Sequence, residues 1–258
     1  MKTIKEIAQA LSSTIEPEQW MKELEMDGRA GVQKELARWI RNYDKRKLLQ
    51  SLHDSKIAFD NHYKPFSSTL LAGVDEAGRG PLAGPVVCAA VILPHDVSML
   101  IGLDDSKQLS KPERERLAKL IKTIAVSYSV HIQPAERIDL INIYAATRES
   151  MELAVGNLST KPDIVLADAM SLIVDCPCES IIKGDAKSLS IAAASILAKT
   201  TRDNLMEELD MDFPMYQFKK NAGYGTAVHL EALNTYGPCI HHRKTFEPVK
   251  SILGRGVV

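Results

Sequence analysis

The chain lacks the marks of several protein classes. Its 258 residues include four cysteines, at 88, 176, 178 and 239, and only Cys176 and Cys178 stand close together. A lone C-x-C matches no zinc template, so these thiols are expected to be small buried or half-buried side chains in a reducing compartment. No apolar run approaches the roughly 18 residues of a membrane span, and the opening MKTIKEIAQALSS has no long apolar centre of a secretion signal. A cytoplasmic location without membrane contact is expected. A chain-wide positive charge is also missing: 32 Lys and Arg face 33 Asp and Glu, for a formal net charge of -1. Any binding of nucleic acid must therefore come from basic residues gathered locally. There is no internal repeat and no low-complexity tract.

What is present is an ordinary globular composition, 45% apolar and 25% charged. The length suits one sizeable domain with an appendage. Residues 1–66 read as a helical N-terminal extension, charged and without β-branched runs. Within GVQKELARWIRNYDKRK, Lys34, Arg38, Arg41 and Lys45 recur at steps of four, three and four, which stacks them on one helical face. Val32, Leu36, Trp39, Ile40 and Tyr43 fall on the other side. Such a helix can be a nucleic-acid-binding arm, a surface helix docked through its apolar side, or both. NHYKPFSS, with Pro65 and two serines, reads as a linker.

From residue 67 to 258 the pattern becomes that of an α/β domain. STLLAGVD reads as a strand, and PVVCAAVIL as a second strand whose near-continuous apolar run implies burial on both faces. KPERERLAKLIKTI reads as an amphipathic helix with Ser110 as N-cap and Glu113 three residues on. AVSYSVHI alternates like a strand, and PAERIDLINIYAATRESMELAVGNL reads as one helix. IVLAD and SIIKG are short strands, and SLSIAAASILAKTTRDNLMEELD is a long helix with a small-residue face. The order β-β-α-β-α-β-β-α predicts a mixed sheet that begins with a hairpin.

The chemistry concentrates in Gly73-Val-Asp-Glu-Ala-Gly-Arg-Gly-Pro-Leu-Ala-Gly-Pro85. An apolar strand ends in two adjacent carboxylates, Asp75 and Glu76. Neighbouring strand residues point to opposite faces, so the two can converge only near the strand's tip. Burying unpaired carboxylates is costly, and a hard cation such as Mg2+ or Mn2+ supplies a reason for it. Asp168 closes IVLAD, and Asp185 follows IIKG just before the long helix. Three strands thus each deliver acid at one end, as a multi-metal phosphoryl-transfer site requires. Each later acid alone can equally be a cap or turn residue. Gly78, Gly80 and Gly84 give G-x-G-x-x-x-G, which has the wrong spacing for a dinucleotide fingerprint and runs into a strand rather than a helix. These glycines instead allow backbone amides to approach a ligand closely.

VDEAGRGPLAGPVVCAAVIL, DDSKQLS, IVLAD, KGDAKSLSIAAASILAKTTRD and GYGT, in this order, resemble the signature segments of the bacterial ribonuclease HII family, over about residues 70–246. The resemblance implies a ribonuclease H-like fold built around a mixed five-stranded sheet flanked by helices, with a C-terminal helical region. It implies a metal site formed by Asp75, Glu76, Asp168 and Asp185, holding Mn2+ or Mg2+. It also implies that Gly78, Arg79 and Gly80, with Tyr224, read the ribose 2′-hydroxyl. The partners would be RNA–DNA hybrids and duplex DNA containing ribonucleotides, for ribonucleotide excision. Cleavage would fall 5′ of the ribonucleotide by two-metal hydrolysis, leaving a 3′-hydroxyl and a 5′-phosphate. The 2′-hydroxyl is the group that separates RNA from DNA locally, so such an enzyme must contact it.

Lys107 and Ser106 in DDSKQLS and Lys187 are further substrate-binding candidates. Lys183 and the cluster His241, His242, Arg243 and Lys244 are candidates for phosphate contacts. Alternatives remain: another carboxylate-metal nuclease such as a junction resolvase or transposase-like enzyme, a non-catalytic hybrid binder, or a glycosidase using Asp75 and Glu76. The first has no need of a 2′-hydroxyl reader, the second no need of four acids, and the third would act without metal. A monomer is expected. The chemistry is expected to survive removal of residues 1–66, because every candidate catalytic residue lies beyond residue 70.

Overall fold

The computed structural model of the chain describes residues 2–104 and 106–254. Asp105 of the DDSKQLS segment, along with residues 255–258 of the expected catalytic domain, lies outside them. Two compact units are formed, Met1–Asp54 and Ser55–Val258.

In the first unit, α1 (Ile4–Ser13) opens on a capping box between Thr3 and Glu6. A short α2 (Met21–Glu25) follows, and then α3 (Ala30–His62). Val32, Leu36 and Trp39 of α3 are buried with Ile7, Leu11, Met21 and Leu24, and Tyr43 packs at their edge. The Trp39 indole donates to the Thr14 carbonyl (2.9 Å) and the Tyr43 hydroxyl to Glu16 (2.9 Å). The apolar stripe is therefore satisfied inside this unit. Ile40 is 41% exposed, contrary to expectation, because α1 and α2 cover the row 32, 36, 39, 43 and leave position 40 at its rim. Lys34, Arg38, Arg41 and Lys45 are exposed along the helix, with Arg38 3.5 Å from Glu35.

The division between the units falls within α3 rather than at the Pro65 linker. The reason is packing. Ile57 lies against the core of the second unit, and Phe59 and Tyr63 lie beside Leu71, Leu166, Ile181 and Ile191. The last two turns of α3 thus belong to the Ser55–Val258 unit, and a cut before Ser67 would remove part of it. The expectation that residues 1–66 can be removed without consequence for the catalytic part does not fit this arrangement.

The sheet of the second unit has the order β3-β2-β1-β4-β5. Its strands are β1 (Leu71–Ala77), β2 (Val86–Ile92), β3 (Ser127–Gln133), β4 (Ile164–Asp168) and β5 (Cys178–Ile181). β1 and β2 form the expected antiparallel hairpin, while β4 runs parallel to β1. One face of the sheet is covered by α4 (Lys111–Ile124) and the long helix that follows β5. The other is covered by α5 (Ala135–Ile141) and α6 (Ile143–Gly156). Every residue of β2 is accordingly buried. The helix expected over residues 134–158 is broken at Asn142, which takes φ 70° and caps α6 by accepting from Ala145 N–H. Ser110 stands at the N-cap of α4 without a side-chain cap, and Glu113 pairs with Arg116 (2.6 Å) instead. A short α7 (Gly184–Lys187) precedes α8 (Leu189–Asp212), whose N-cap Ser188 accepts from Ile191 N–H. Beyond it come α9 (Phe218–Asn221), α10 (Ala227–Tyr236) and α11 (Val249–Gly254), the expected C-terminal helical region. All four cysteines are free thiols. Among the described residues no helix is long and apolar enough to cross a membrane.

The small-residue face of α8 has a definite use. Ser190, Ala192, Ala193, Ala194, Ser195 and Ala198 are all buried, and a Cβ placed on Gly73 of β1 would lie 2.1 Å from the Ser190 carbonyl carbon. Helix backbone and strand backbone are thus in direct contact beside the strand end that carries the acids. Gly73→Ala is expected to lower unfolding stability by about 3 kcal/mol or more, because neither backbone can give way cheaply. Urea unfolding of the two proteins measures this, and a loss below about 1 kcal/mol would show that α8 shifts freely on the sheet.

Candidate active site

The site is built where β1 and β4 end side by side. Their parallel register pairs Val74 with Ala167, so the next step along each strand sets Asp75 beside Asp168. Glu76 joins them because β1 is ending. Asp75, Glu76 and Asp168 each offer a carboxylate oxygen within 4.8 Å of the others. Asp75 is 4% exposed. Burial, with Glu76 and Asp168 close by, holds its carboxyl well above the usual carboxylate range. Burial raises Glu76 as well, opposed by the Arg79 guanidinium, which stands 3.5 Å from Glu76.

The hydrogen bonds around this cluster are only partly complete. Asp75 Oδ1 accepts from Glu76 N–H (2.7 Å), and Asp168 Oδ1 accepts from Gly184 N–H (2.6 Å). The Ser195 hydroxyl of α8 stands against Asp75 and bonds Ser106 at 3.2 Å. Glu76 Oε2 is buried with no hydrogen-bond partner. Crowded, desolvated oxygen donors with one orphaned oxygen suit a hard divalent cation, and the donor set fits Mg2+ or Mn2+.

Asp185 stands apart from this group. It lies in α7, its carboxylate accepts from its own neighbour's Ala186 N–H (2.9 Å), and it is not among the clustered oxygens. The peptide before it nevertheless holds Asp168, through Gly184 N–H. Of the four expected acids, the structure brings three together and leaves the fourth on an adjoining turn.

The glycine turn is shaped by two buried arginines. Arg243 donates to the carbonyls of Arg79 (2.8 Å), Gly78 (2.5 Å) and Gly84 (3.0 and 3.1 Å). Arg202 of α8 donates to the carbonyls of Pro85 (3.0 Å) and Ala83 (3.2 Å). Burial lowers both guanidiniums, Arg202 to about 10 and Arg243 to about 9. A Cβ on Gly78 (φ 99°) would lie 2.0 Å from Arg202 Nε, so this glycine is required both for its backbone conformation and for space. With the carbonyls drawn inward, no backbone carbonyl among the described residues accepts from the N–H of Arg79 or Gly80.

Tyr224 lies over the same turn. Its ring is 3.5 Å from where a Gly80 Cβ would stand, and it is 49% exposed. Its backbone is fixed from behind. Cys239 N–H donates to His242 Nδ1 (3.0 Å), His242 Nε2 meets His229 Nε2 (2.9 Å), and His229 Nδ1 meets the Tyr224 carbonyl (2.9 Å). An amide donor at one end and a carbonyl acceptor at the other assign the tautomers: His242 carries its proton on Nε2 and His229 on Nδ1. Burial lowers both rings, His242 to about 4, which keeps the relay neutral.

These observations correct the reading of the C-terminal basic cluster. Arg243 and His242 are fully buried, the first holding the turn and the second in the relay, so neither can meet a phosphate. Lys244 is exposed, and its N–H and that of Thr245 are accepted by Asp139. Lys107, Lys183 and Lys187 are exposed, whereas Ser106 is buried against Ser195. Sequence reasoning missed Arg202, although it stands in the quoted TTRD segment, because nothing in sequence separates a buried arginine from a surface one.

A ribonuclease HII family model matches residues 72–249, and a ribonuclease HII N-terminal domain model matches residues 3–64. Family likeness thus extends to the N-terminal helices, beyond the segments that first suggested it. The chain is 46% identical over 253 residues to a ribonuclease HII of Geobacillus sp. (strain WCH70), covering 97% of this chain and 91% of that protein. It is 49% identical over 252 residues to a ribonuclease HII of Lactobacillus acidophilus, covering 96% and 98%. The crystal structure of ribonuclease H2 from Pyrococcus horikoshii OT3 aligns with a TM-score of 0.63 at 29% identity, covering 72% of this chain and 97% of that one. Its ribonuclease H-like fold, its clustered acids and these matches agree: the chain belongs to the ribonuclease HII family, whose members are metal-dependent hydrolases acting on nucleic acids.

Proposed function

We propose that this chain is an endoribonuclease that cuts the RNA strand of RNA–DNA hybrids and cuts 5′ of ribonucleotides embedded in duplex DNA, leaving a 3′-hydroxyl and a 5′-phosphate. One observation carries the reading: the turn Gly78–Gly80 lies between the acid cluster, through Arg79 and Glu76, and the exposed ring of Tyr224. A carboxylate cluster alone would suit many nucleases. A rigid amide-presenting turn under a tyrosine, beside that cluster, suits an enzyme that must recognise one hydroxyl of one sugar next to the bond it cuts.

Asp75, Glu76 and Asp168 would hold the divalent cations, Mn2+ or Mg2+, with Asp185 completing the set from the adjoining turn. Bound there, the cations supply charge neutralisation at the phosphate and an attacking water of lowered pKa. The chain's own groups do the rest. The N–H groups of Arg79 and Gly80 and the Tyr224 hydroxyl meet the 2′-hydroxyl, and the Tyr224 ring packs on the sugar. Arg79 sits between Glu76 and the scissile phosphate. Lys107 and Lys187, both exposed near the site, contact backbone phosphates, and Ser106 holds Ser195 against Asp75. The row Lys34, Arg38, Arg41 and Lys45 adds phosphate contacts from the N-terminal unit.

Four outcomes are expected of the carboxylate site. A labelled duplex with one ribonucleotide should be cut 5′ of that nucleotide only when divalent metal is added; cleavage in the presence of a chelator would end the metal reading. Asp75→Asn should lose cleavage by about a hundredfold or more, since acting groups of one site are not independent. The same variant should melt higher than wild type without metal at neutral pH. The sign follows from the raised carboxyls. The folded state holds protons that the unfolded chain has already released, so these groups cost stability as pH rises from the ordinary carboxylate range through their folded values. Mn2+ should raise the wild-type Tm by mass action and raise that of the variant less.

Tyr224→Ala should lose on the order of tenfold in kcat/KM on a single embedded ribonucleotide while duplex affinity changes little, the size expected of one hydrogen bond to the sugar. Equal losses in binding and cleavage would make Tyr224 a packing residue.

Changing Lys34, Arg38, Arg41 and Lys45 to Gln should weaken duplex binding and flatten its dependence on salt, by roughly 0.9 in log–log slope for each phosphate no longer neutralised. Glutamine keeps good helix propensity, so α3 should remain folded. An unchanged salt slope would remove the N-terminal unit from the binding surface.

A further inference from the structure

The end of α3 carries a side chain that the proposed chemistry does not use. Lys56 is 3% exposed, and its ammonium donates to the Asp104 carboxylate (2.7 Å), the Asp185 carbonyl (3.3 Å) and the Leu103 carbonyl (3.4 Å). Lysine is rarely buried, because its charge loses hydration; here three acceptors match its three N–H donors. One turn further on, Asp60 is also buried and accepts from the N–H (3.0 Å) and hydroxyl (2.8 Å) of Ser190 in the first turn of α8. Asp60 anchors α3 to a helix. Lys56 instead joins two loops.

Both loops lead to the clustered acids by short routes. From Asp185 the chain steps back one peptide to Gly184, whose N–H holds Asp168. Leu103 and Asp104 precede Ser106 by three and two residues in sequence; Ser106 bonds Ser195, and Ser195 stands against Asp75. The turn that carries Asp185 is poorly able to hold itself. α7 has four residues, and Lys183 before it sits in the left-handed region at φ 56°, where a side chain is disfavoured. A four-residue helix behind a strained residue takes its position from what is attached to it.

We propose that Lys56 is a positioning residue of the carboxylate site, setting the Gly184–Asp185 turn and the Leu103–Asp104 segment against each other so that Asp185 can join Asp75, Glu76 and Asp168 in holding metal. The proposal rests on reading those acids as the metal site. It places an essential determinant of the site in the helical N-terminal segment, outside the span matched by the catalytic family model.

Full-length wild type, Lys56→Met and Asp60→Asn are compared by Tm, by Mn2+ titration calorimetry without substrate, and by kcat and KM on a duplex with one ribonucleotide. Both variants should melt lower than wild type. Lys56→Met should bind Mn2+ about tenfold more weakly and lose kcat by a similar factor with KM little changed, as is usual when partners that orient metal ligands are removed. Asp60→Asn should keep both near wild type. If Lys56→Met binds Mn2+ and turns over like wild type, or if Asp60→Asn loses as much for the same fall in Tm, Lys56 is only an anchor and the proposal fails. Should Lys56→Met not fold, Asp104→Asn takes its place, since Asp104 is partly exposed and its loss leaves Lys56 its two carbonyls; Mn2+ affinity equal to wild type would again overturn the proposal. Wild type that binds no Mn2+ would remove the carboxylate reading and this proposal with it, whereas normal wild-type binding beside an unaffected Lys56→Met removes the proposal alone.

Discussion

Like charges crowded into a desolvated strand end are the constraint around which the catalytic unit is arranged. Asp75 is buried, Asp168 is brought beside it by the parallel register, and Glu76 keeps an oxygen without a partner. In the absence of a cation this is an unfavourable assembly, and it persists because the surroundings leave it no room to relax. The backbone contact between Gly73 and Ser190 fixes β1 against α8, and a buried sheet with helices on both faces fixes β1 against β4. Rigidity at this spot keeps the acids as close as sharing a cation would require.

The glycine turn solves a second problem by different means. Peptide groups on a loop ordinarily turn both donor and acceptor toward water, and a turn that donates to a ligand, as proposed for this one, must have its carbonyls engaged elsewhere. Arg202 and Arg243 engage those of five residues, 78, 79, 83, 84 and 85. Arginine suits this better than lysine because its planar fork donates in several fixed directions and stays charged when buried. Both guanidiniums remain charged at neutral pH even after burial lowers them to about 10 and 9. The result is a loop whose carbonyls are held from within, with Tyr224 over it, itself tied through two neutral histidines.

Much of this was legible in the sequence, and the boundary of legibility has a physical explanation. Strand periodicity and the buried run of β2 depend on neighbours along the chain, so the β-β-α-β-α-β-β-α order could be read directly. Asp75 and Glu76 stood out because carboxylates at the end of an apolar strand are costly wherever they occur. The break at Asn142 was not legible, since a left-handed residue can interrupt a helical pattern without changing its hydrophobic period. Nor could Arg243 be told from Lys244, its neighbour: one is fully buried and the other exposed, and only the fold decides. The same holds for Lys56, whose three acceptors lie 47 to 129 residues away along the chain. Local chemistry is written locally, whereas the partners that orient it are long-range.

The distribution of charge then has a consequence for how metal and substrate act together. The chain is close to neutral overall, and the cluster presents carboxylates toward a polyanion, with Arg79 the side-chain cation that approaches Glu76. In the proposed function, the site repels the phosphate it receives until cations are bound. Once they are bound, the same acids hold the charge that attracts it. On that reading metal and nucleic acid favour each other's binding, and by reciprocity each does so by the same factor. On the same reading the exposed basic row on α3 has no such dependence: among the described residues no cluster of acids suited to a metal includes its neighbours, and Arg38 pairs with Glu35. In the proposed reading, attraction to duplex in general and engagement of one phosphate at the acids are thus separate interactions, the first governed by salt and the second by metal.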